Sequence, residues 1–100
     1  MMQGTTPTHR FTIPFDASFV RRVRVSYSQN GTCVLIKEDP ECHVEGNVIE
    51  LKLSQEETLK FDEFSSVLIQ VRVLTVDGDA LATDPIRVSC GAVLDNEVLE

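Results

Sequence analysis

Val67 to Cys90, VLIQVRVLTVDGDALATDPIRVSC, constrains this chain more than any other stretch. Its first arm sets Ile69, Val71 and Val73 at one parity and Gln70 and Arg72 at the other. That is the period of an extended strand with one face in water. Asp77-Gly78-Asp79 then separates two extended runs. Asp-Gly at such a junction points to a tight primed hairpin turn, because glycine takes up positive φ at no steric cost. Leu68, Leu74 and Val76 interrupt the polar face, so something is expected to cover its ends. Pro85, in TDPIRV, marks a bulge or an edge where a ladder bond is dispensable. A chain built around this hairpin is committed to β architecture.

The remaining segments repeat the pattern. His9–Phe15 alternates Phe11, Ile13 and Phe15 against Arg10 and Thr12, and Pro14 confines that strand to a sheet edge or ends it. Asp16-Ala17-Ser18 is long enough for one helical turn. Phe19–Gln29 alternates Val23, Val25 and Tyr27 against Arg22, Arg24, Ser26 and Ser28, and Asn30-Gly31 follows as a strong two-residue hairpin signal. Thr32–Glu38 returns with Val34 and Ile36 on one face and Cys33 and Leu35 on the other. Asp39-Pro40-Glu41 breaks it. A short extended piece, Cys42–Val44, precedes the turn Glu45-Gly46-Asn47, and Val48–Leu53 points Ile49, Leu51 and Leu53 inward. Ser54 and Glu57 have the spacing of a capping box, so one helical turn near residues 54–60 is expected to cross between sheets.

The fold expected is therefore all-β, an immunoglobulin-like antiparallel β-sandwich of six to eight strands with that single helical turn. A small β-barrel is the alternative, since periodicity does not separate the two. Tryptophan is absent, and no cysteine pair has inter-sheet spacing. Residues 9–91 form one domain in this reading, 1–8 a flexible lead-in, and 92–100 a tail or last strand. One hundred residues suffice for a single core.

The net charge of −7 speaks against a sequence-independent grip on nucleic acid or anionic lipid, which needs clustered Lys and Arg. Arg21, Arg22 and Arg24 are a local exception, with Arg22 and Arg24 on one strand face among acidic neighbours. No apolar run reaches membrane-span length, and the first ten residues lack a secretory-signal pattern. These features imply synthesis in a cytoplasm. Cys33, Cys42 and Cys90 are odd in number and lack a CxxC spacing, so reduced thiols are expected over a Cys33–Cys42 bridge.

Catalytic, metal and cofactor residues are not indicated. Cys42 and His43 are adjacent, so on a strand they point to opposite faces and cannot easily share an ion, even with Glu41 and Glu45 nearby. His9 lies near the terminus and carries no role. Asp77 and Asp79 lack the longer oxygen-rich loop of a Ca²⁺ site. Glu56 and Glu57 suit the first turn of a helix. No GxSxG, phosphate loop, GxGxxG or HExxH occurs, so no enzyme is expected.

Four elements in order carry a resemblance: F-x-I/L-P-F-D (Phe11–Asp16), a V-x-V-x-Y strand, L-x-L-S/T-Q-E-E-T-L (Leu51–Leu59) and Q-V-R-V-L-T-x-x-G-D-A-L-A-x-D (Gln70–Asp84). Together they resemble small proteins of phages and prophages of Gram-positive gut bacteria. The last two are similar to the amino-terminal β-sandwich module of phage baseplate upper proteins. The resemblance implies a non-enzymatic structural or adaptor protein of a tail or baseplate, acting through contacts with other tail proteins, with homo-oligomers possible and virion association following. It supplies no catalytic residues. The alternative is a small β-sandwich module for a carbohydrate or cell-surface ligand. Such sites present exposed aromatics, and most of the five Phe are expected in the core.

Overall fold

The computed structural model describes residues 1–95 and 97–100. Its strands are β1 (Thr8–Thr12), β2 (Val20–Gln29), β3 (Thr32–Glu38), β4 (Cys42–Glu45), β5 (Val48–Lys52), β6 (Val67–Thr75), β7 (Ala80–Ala82) and β8 (Ile86–Val88). They form two antiparallel sheets. The smaller has the order β1-β5-β4, and the larger β3-β2-β6-β7 with β8 also on β6. Among the described residues each sheet keeps two free edges, so the fold is a sandwich and the barrel alternative falls away. Ile49 and Leu51 of the smaller sheet, Leu53 just after it, and Val23, Val25, Tyr27, Val67, Ile69, Val71 and Val73 of the larger fill one core between them. Among the described residues, no helix is long and apolar enough to cross a membrane.

The two hairpins solve their turns differently. Gln29 pairs with Thr32 across Asn30 (φ 54°) and Gly31 (φ 79°), two left-handed residues whose twist matches the flanking strands. A Cβ on Gly31 would meet nothing within 4 Å. Gly31→Ala should therefore cost only the conformational penalty, about 1 kcal/mol, read as a lower urea midpoint with an unchanged slope. The primed turn expected at Asp77-Gly78 is not formed. Thr75 and Asp79 close a longer loop: the Thr75 N–H donates to the Asp79 carbonyl at 2.8 Å and the Gly78 N–H to the Thr75 carbonyl at 3.0 Å. Gly78 alone takes the positive φ there, at 88°, the arrangement of a turn ending in a glycine bulge.

Pro85 behaves as its sequence context implies. Arg72 pairs with Ala82, but Ile69 pairs with Ile86, so one extra residue is accommodated between β7 and β8. A proline in that bulge sacrifices no ladder bond. A second bulge, opposite Tyr27 and Ser28, was not legible in the sequence. It shifts the parity of β3, so that Lys37 is buried and Ile36 faces solvent.

Ser54, Gln55 and their neighbours form the expected turn. Helix α1 (Gln55–Thr58) links the smaller sheet to the larger, and its capping box is complete: the Glu57 N–H donates to Ser54 Oγ at 3.1 Å and the Ser54 N–H to Glu57 Oε1 at 2.8 Å. Ala17–Phe19 forms a single 3-10 turn capped by Asp16. The segment read as a loose lead-in is instead fastened to the domain. The Met1 ammonium donates to the Ser89 carbonyl, the Gln3 N–H to that of Gly91, and the Gln3 amide to that of Phe61. The carboxyl-terminal tail adds no strand among its described residues. The Gln55 amide holds it by both the N–H and the carbonyl of Leu99, at 2.7 and 3.0 Å.

Candidate contact face

β2 and β6 are the centre of the larger sheet, and their alternation decides what its outer face carries. The inward parity is apolar, so the outward parity is Arg22, Arg24, Ser26 and Ser28 on β2 and Leu68, Gln70, Arg72 and Leu74 on β6. The register sets Arg22 beside Leu74 and Arg24 directly beside Arg72. Two like charges at opposed positions repel. Arg24 is relieved by Glu38 across β3, and Arg22 lies 3.5 Å from Asp39. Arg72 has no ion-pair partner among the described residues. The three arginines, with Glu38, Leu74, Ala80 and Leu81, line an open groove of about 280 Å³. In an acidic protein this is a locally cationic, partly apolar surface.

The residues weighed for metal or acid–base chemistry are dispersed. Cys42 is buried in the core while His43 points outward, 3.0 Å from Glu45, as adjacent strand residues must. Burial, with Glu41 and Asp39 adding to it, pushes the Cys42 thiol up to about 11, so it is protonated and inert at neutral pH. Cys90 is also buried, Cys33 is exposed, and all three thiols are free. Asp77 and Asp79 sit exposed in their loop. Among the described residues no group of His, Cys, Asp or Glu is placed to hold a metal ion.

Two polar constellations were missed at the sequence level. His9, half-buried on β1, stacks on Tyr27 with ring centroids 5.6 Å apart, and its Nδ1 lies 2.7 Å from the Tyr27 hydroxyl. Burial raises the Tyr27 pKa and lowers that of His9, the latter helped by the nearby amino terminus. The imidazole tautomer sets the direction of that bond: Nδ1 accepts from the hydroxyl when bare and donates to its oxygen when protonated. Phe61 completes the cluster, 6.1 Å from Tyr27. Lys37 is the other case. Its side chain is 7% exposed and its Nζ lies 2.6 Å from Glu57 and 3.0 Å from Glu41. An i,i+4 search finds Lys37–Glu41, but only the bulge in β3 brings Lys37 to Glu57. Both constellations join elements across the sandwich.

Large apolar side chains left in solvent are the remaining feature. Phe19 and Phe64 are exposed, as are Val76, Leu81 and Leu94; of the five Phe, which were expected mostly in the core, Phe61 is buried there and Phe11 and Phe15 pack half-buried against it. Phe64, 86% exposed, also has φ of 62°, an uncommon conformation for a bulky residue.

The geometry defines an all-β, immunoglobulin-like sandwich with an arginine-lined outer face. No family model matches the chain, and neither does any curated protein. Among solved structures it is similar to the V domain of amphioxus IgVJ-C2, at 13% identity and a TM-score of 0.39, over 93% of this chain and 97% of that one.

Proposed function

We propose that this protein is a non-enzymatic adaptor that works by protein–protein contact, in a phage tail or baseplate assembly. The observation that carries the contact reading is the set of large apolar side chains left in water, Phe19, Phe64, Val76 and Leu81, together with a separate groove lined by Arg22, Arg24 and Arg72. Aromatic and arginine side chains are the residues from which protein interfaces draw most of their affinity. Four free sheet edges add surface on which a partner strand could pair. The phage setting rests on the four sequence elements between Phe11 and Asp84 and on nothing in the geometry. An epitope-tagged copy made during prophage induction should co-sediment with tail particles through a density gradient. Recovery only in the free-protein fractions would overturn the setting.

A carbohydrate or cell-surface ligand is the second reading, favoured by one observation: the outward ring of Phe64 is the kind of platform on which sugars stack. Specific glycan-array binding lost in Phe64→Gly, without tail association, would replace the adaptor reading.

A further inference from the structure

Phe64 and the arginine groove belong to each other, and we infer that they do so between copies: the ring of Phe64 in one copy seats in the groove of the next, giving a head-to-tail contact. The inference rests on the reading of this chain as a contact protein and names its partner, a second copy of itself.

Phe64 has the properties of a displayed anchor. It is the most exposed aromatic residue, in the Asp62–Ser66 connection, and it holds a left-handed backbone that costs a bulky residue free energy. Its N–H donates to the Cys90 carbonyl at 3.0 Å, and the buried Gln29 amide fixes both sides of it, donating to the Asp62 and Ser65 carbonyls and accepting from the Asp62 N–H. The loop is thus clamped in a conformation that points an apolar ring into water. Strain maintained by surrounding bonds at a site that gains nothing from it in the free chain points to a function for the ring.

The groove is complementary in chemistry. Asp62 and Glu63 immediately precede Phe64 and are exposed, so the anchor brings two carboxylates with it. The receiving surface offers Arg72 without an ion-pair partner among the described residues, opposed to Arg24, which Glu38 of the same groove already pairs, with Leu74, Ala80 and Leu81 as the apolar wall. An aromatic ring over a guanidinium gains cation–π attraction, and the carboxylates supply the ion-pair partner that Arg72 lacks among the described residues. The two surfaces cannot meet within one chain. Gln29, which clamps the Phe64 loop, and Arg22, at the groove, are seven positions apart on the same strand, about 23 Å at the rise of a β-strand. A contact between different surfaces is heterologous, so it propagates as a ring or a filament and does not stop at a two-fold dimer.

Phe64→Gly tests the anchor without threatening the fold, because glycine relieves the positive φ, and Arg72→Glu reverses an exposed charge. Sedimentation velocity up to about 1 mM should show wild-type chain associating in a salt-sensitive manner, with each variant alone at least tenfold weaker. The decisive arm mixes the two variants. Arg72→Glu keeps a working anchor and Phe64→Gly a working groove, so the mixture should form a capped one-to-one complex that neither forms alone. Wild type that stays monomeric throughout, association that survives both substitutions, or a mixture that fails to pair would each overturn the inference. Monomeric wild type that still co-sediments with tail particles would sink the self-contact and leave the adaptor reading standing.

Discussion

Tyr27→Ala should remove about 3–5 kcal/mol of unfolding free energy, a large share of the roughly 5–15 kcal/mol a domain of this size possesses. Tyr27 is fully buried on β2 and lies between His9 of the opposite sheet and Phe61 beyond α1. Truncation empties the joint where three elements meet, and the void is too enclosed to collapse. Tyr27→Phe separates the ring from the hydroxyl. It keeps the packing and deletes only the bond to His9 Nδ1, so about 1 kcal/mol should be lost. Urea unfolding of both variants, followed by circular dichroism, checks the difference; equal losses would mean that the packing contributes little. The same joint has a pH signature. Burial, and then the charge of the amino terminus, hold His9 below its ordinary value of 6.5, so unfolding takes up a proton below that pH. Stability from this joint is complete above 6.5 and is lost as pH falls through the folded value. His9→Gln should flatten that part of the urea-midpoint profile.

How far the sequence led depended on whether a feature was local. β2, β5 and β6 follow from alternation alone, and the Asn30-Gly31 turn and the Ser54–Glu57 capping box are each written within a few residues, so all were legible. The loop at Thr75–Asp79 was placed but its type was not, because whether Gly78 ends a longer turn or sits in a primed one depends on how β6 and β7 pair. Register errors followed the bulges. One extra residue in β3 reversed the parity from Leu35 onward, exposing Ile36 and burying Lys37, and no propensity marks where such a residue falls. His9 was dismissed as terminal, yet β1 pairs with β5 from Thr8 to Thr12, and that pairing sets the imidazole on Tyr27. For the contact face, the charges Arg22 and Arg24 were visible on one side of a strand. Arg72 came beside them only through the β2–β6 register. Phe64 gave no signal at all, since a Phe in an apolar chain is expected to be core and its φ is a property of the folded loop.

Lys37→Met should destabilise by about 2–3 kcal/mol, toward the lower end of what breaking a buried ion pair costs, because the carboxylate left behind is not sealed from water. Glu57 is 18% exposed at its side chain and still accepts from the Ser54 N–H. Glu57→Gln is the informative partner, since glutamine also serves in a capping box and the substitution removes charge while keeping the cap. It leaves the Lys37 ammonium, 7% exposed, with Glu41 alone. In the double variant no buried uncompensated charge remains, since Glu41 is half in water, so its loss should be smaller than the sum of the single losses, and the cycle measures the coupling directly. Losses that simply add would show that the packing of the Lys37 stem matters and the pairing does not. The titration behaviour gives an independent check. Burial alone would raise the Glu57 pKa, but the bonds from Lys37 and the Ser54 N–H outweigh it and the net direction is down from 4.5. Burial alone would lower Lys37, but Glu57 and Glu41 outweigh it and the net direction is up from 10.5. The pair's contribution is therefore complete between those two ordinary values. On the acid side it is lost as pH falls through the depressed value of Glu57, and on the alkaline side as pH rises through the elevated value of Lys37. Lys37→Met removes the main force depressing Glu57, so the difference between wild type and variant should shrink as the pH is taken down through the folded value of Glu57. A difference that persists undiminished into acid would assign the destabilisation to lost packing rather than to the charge.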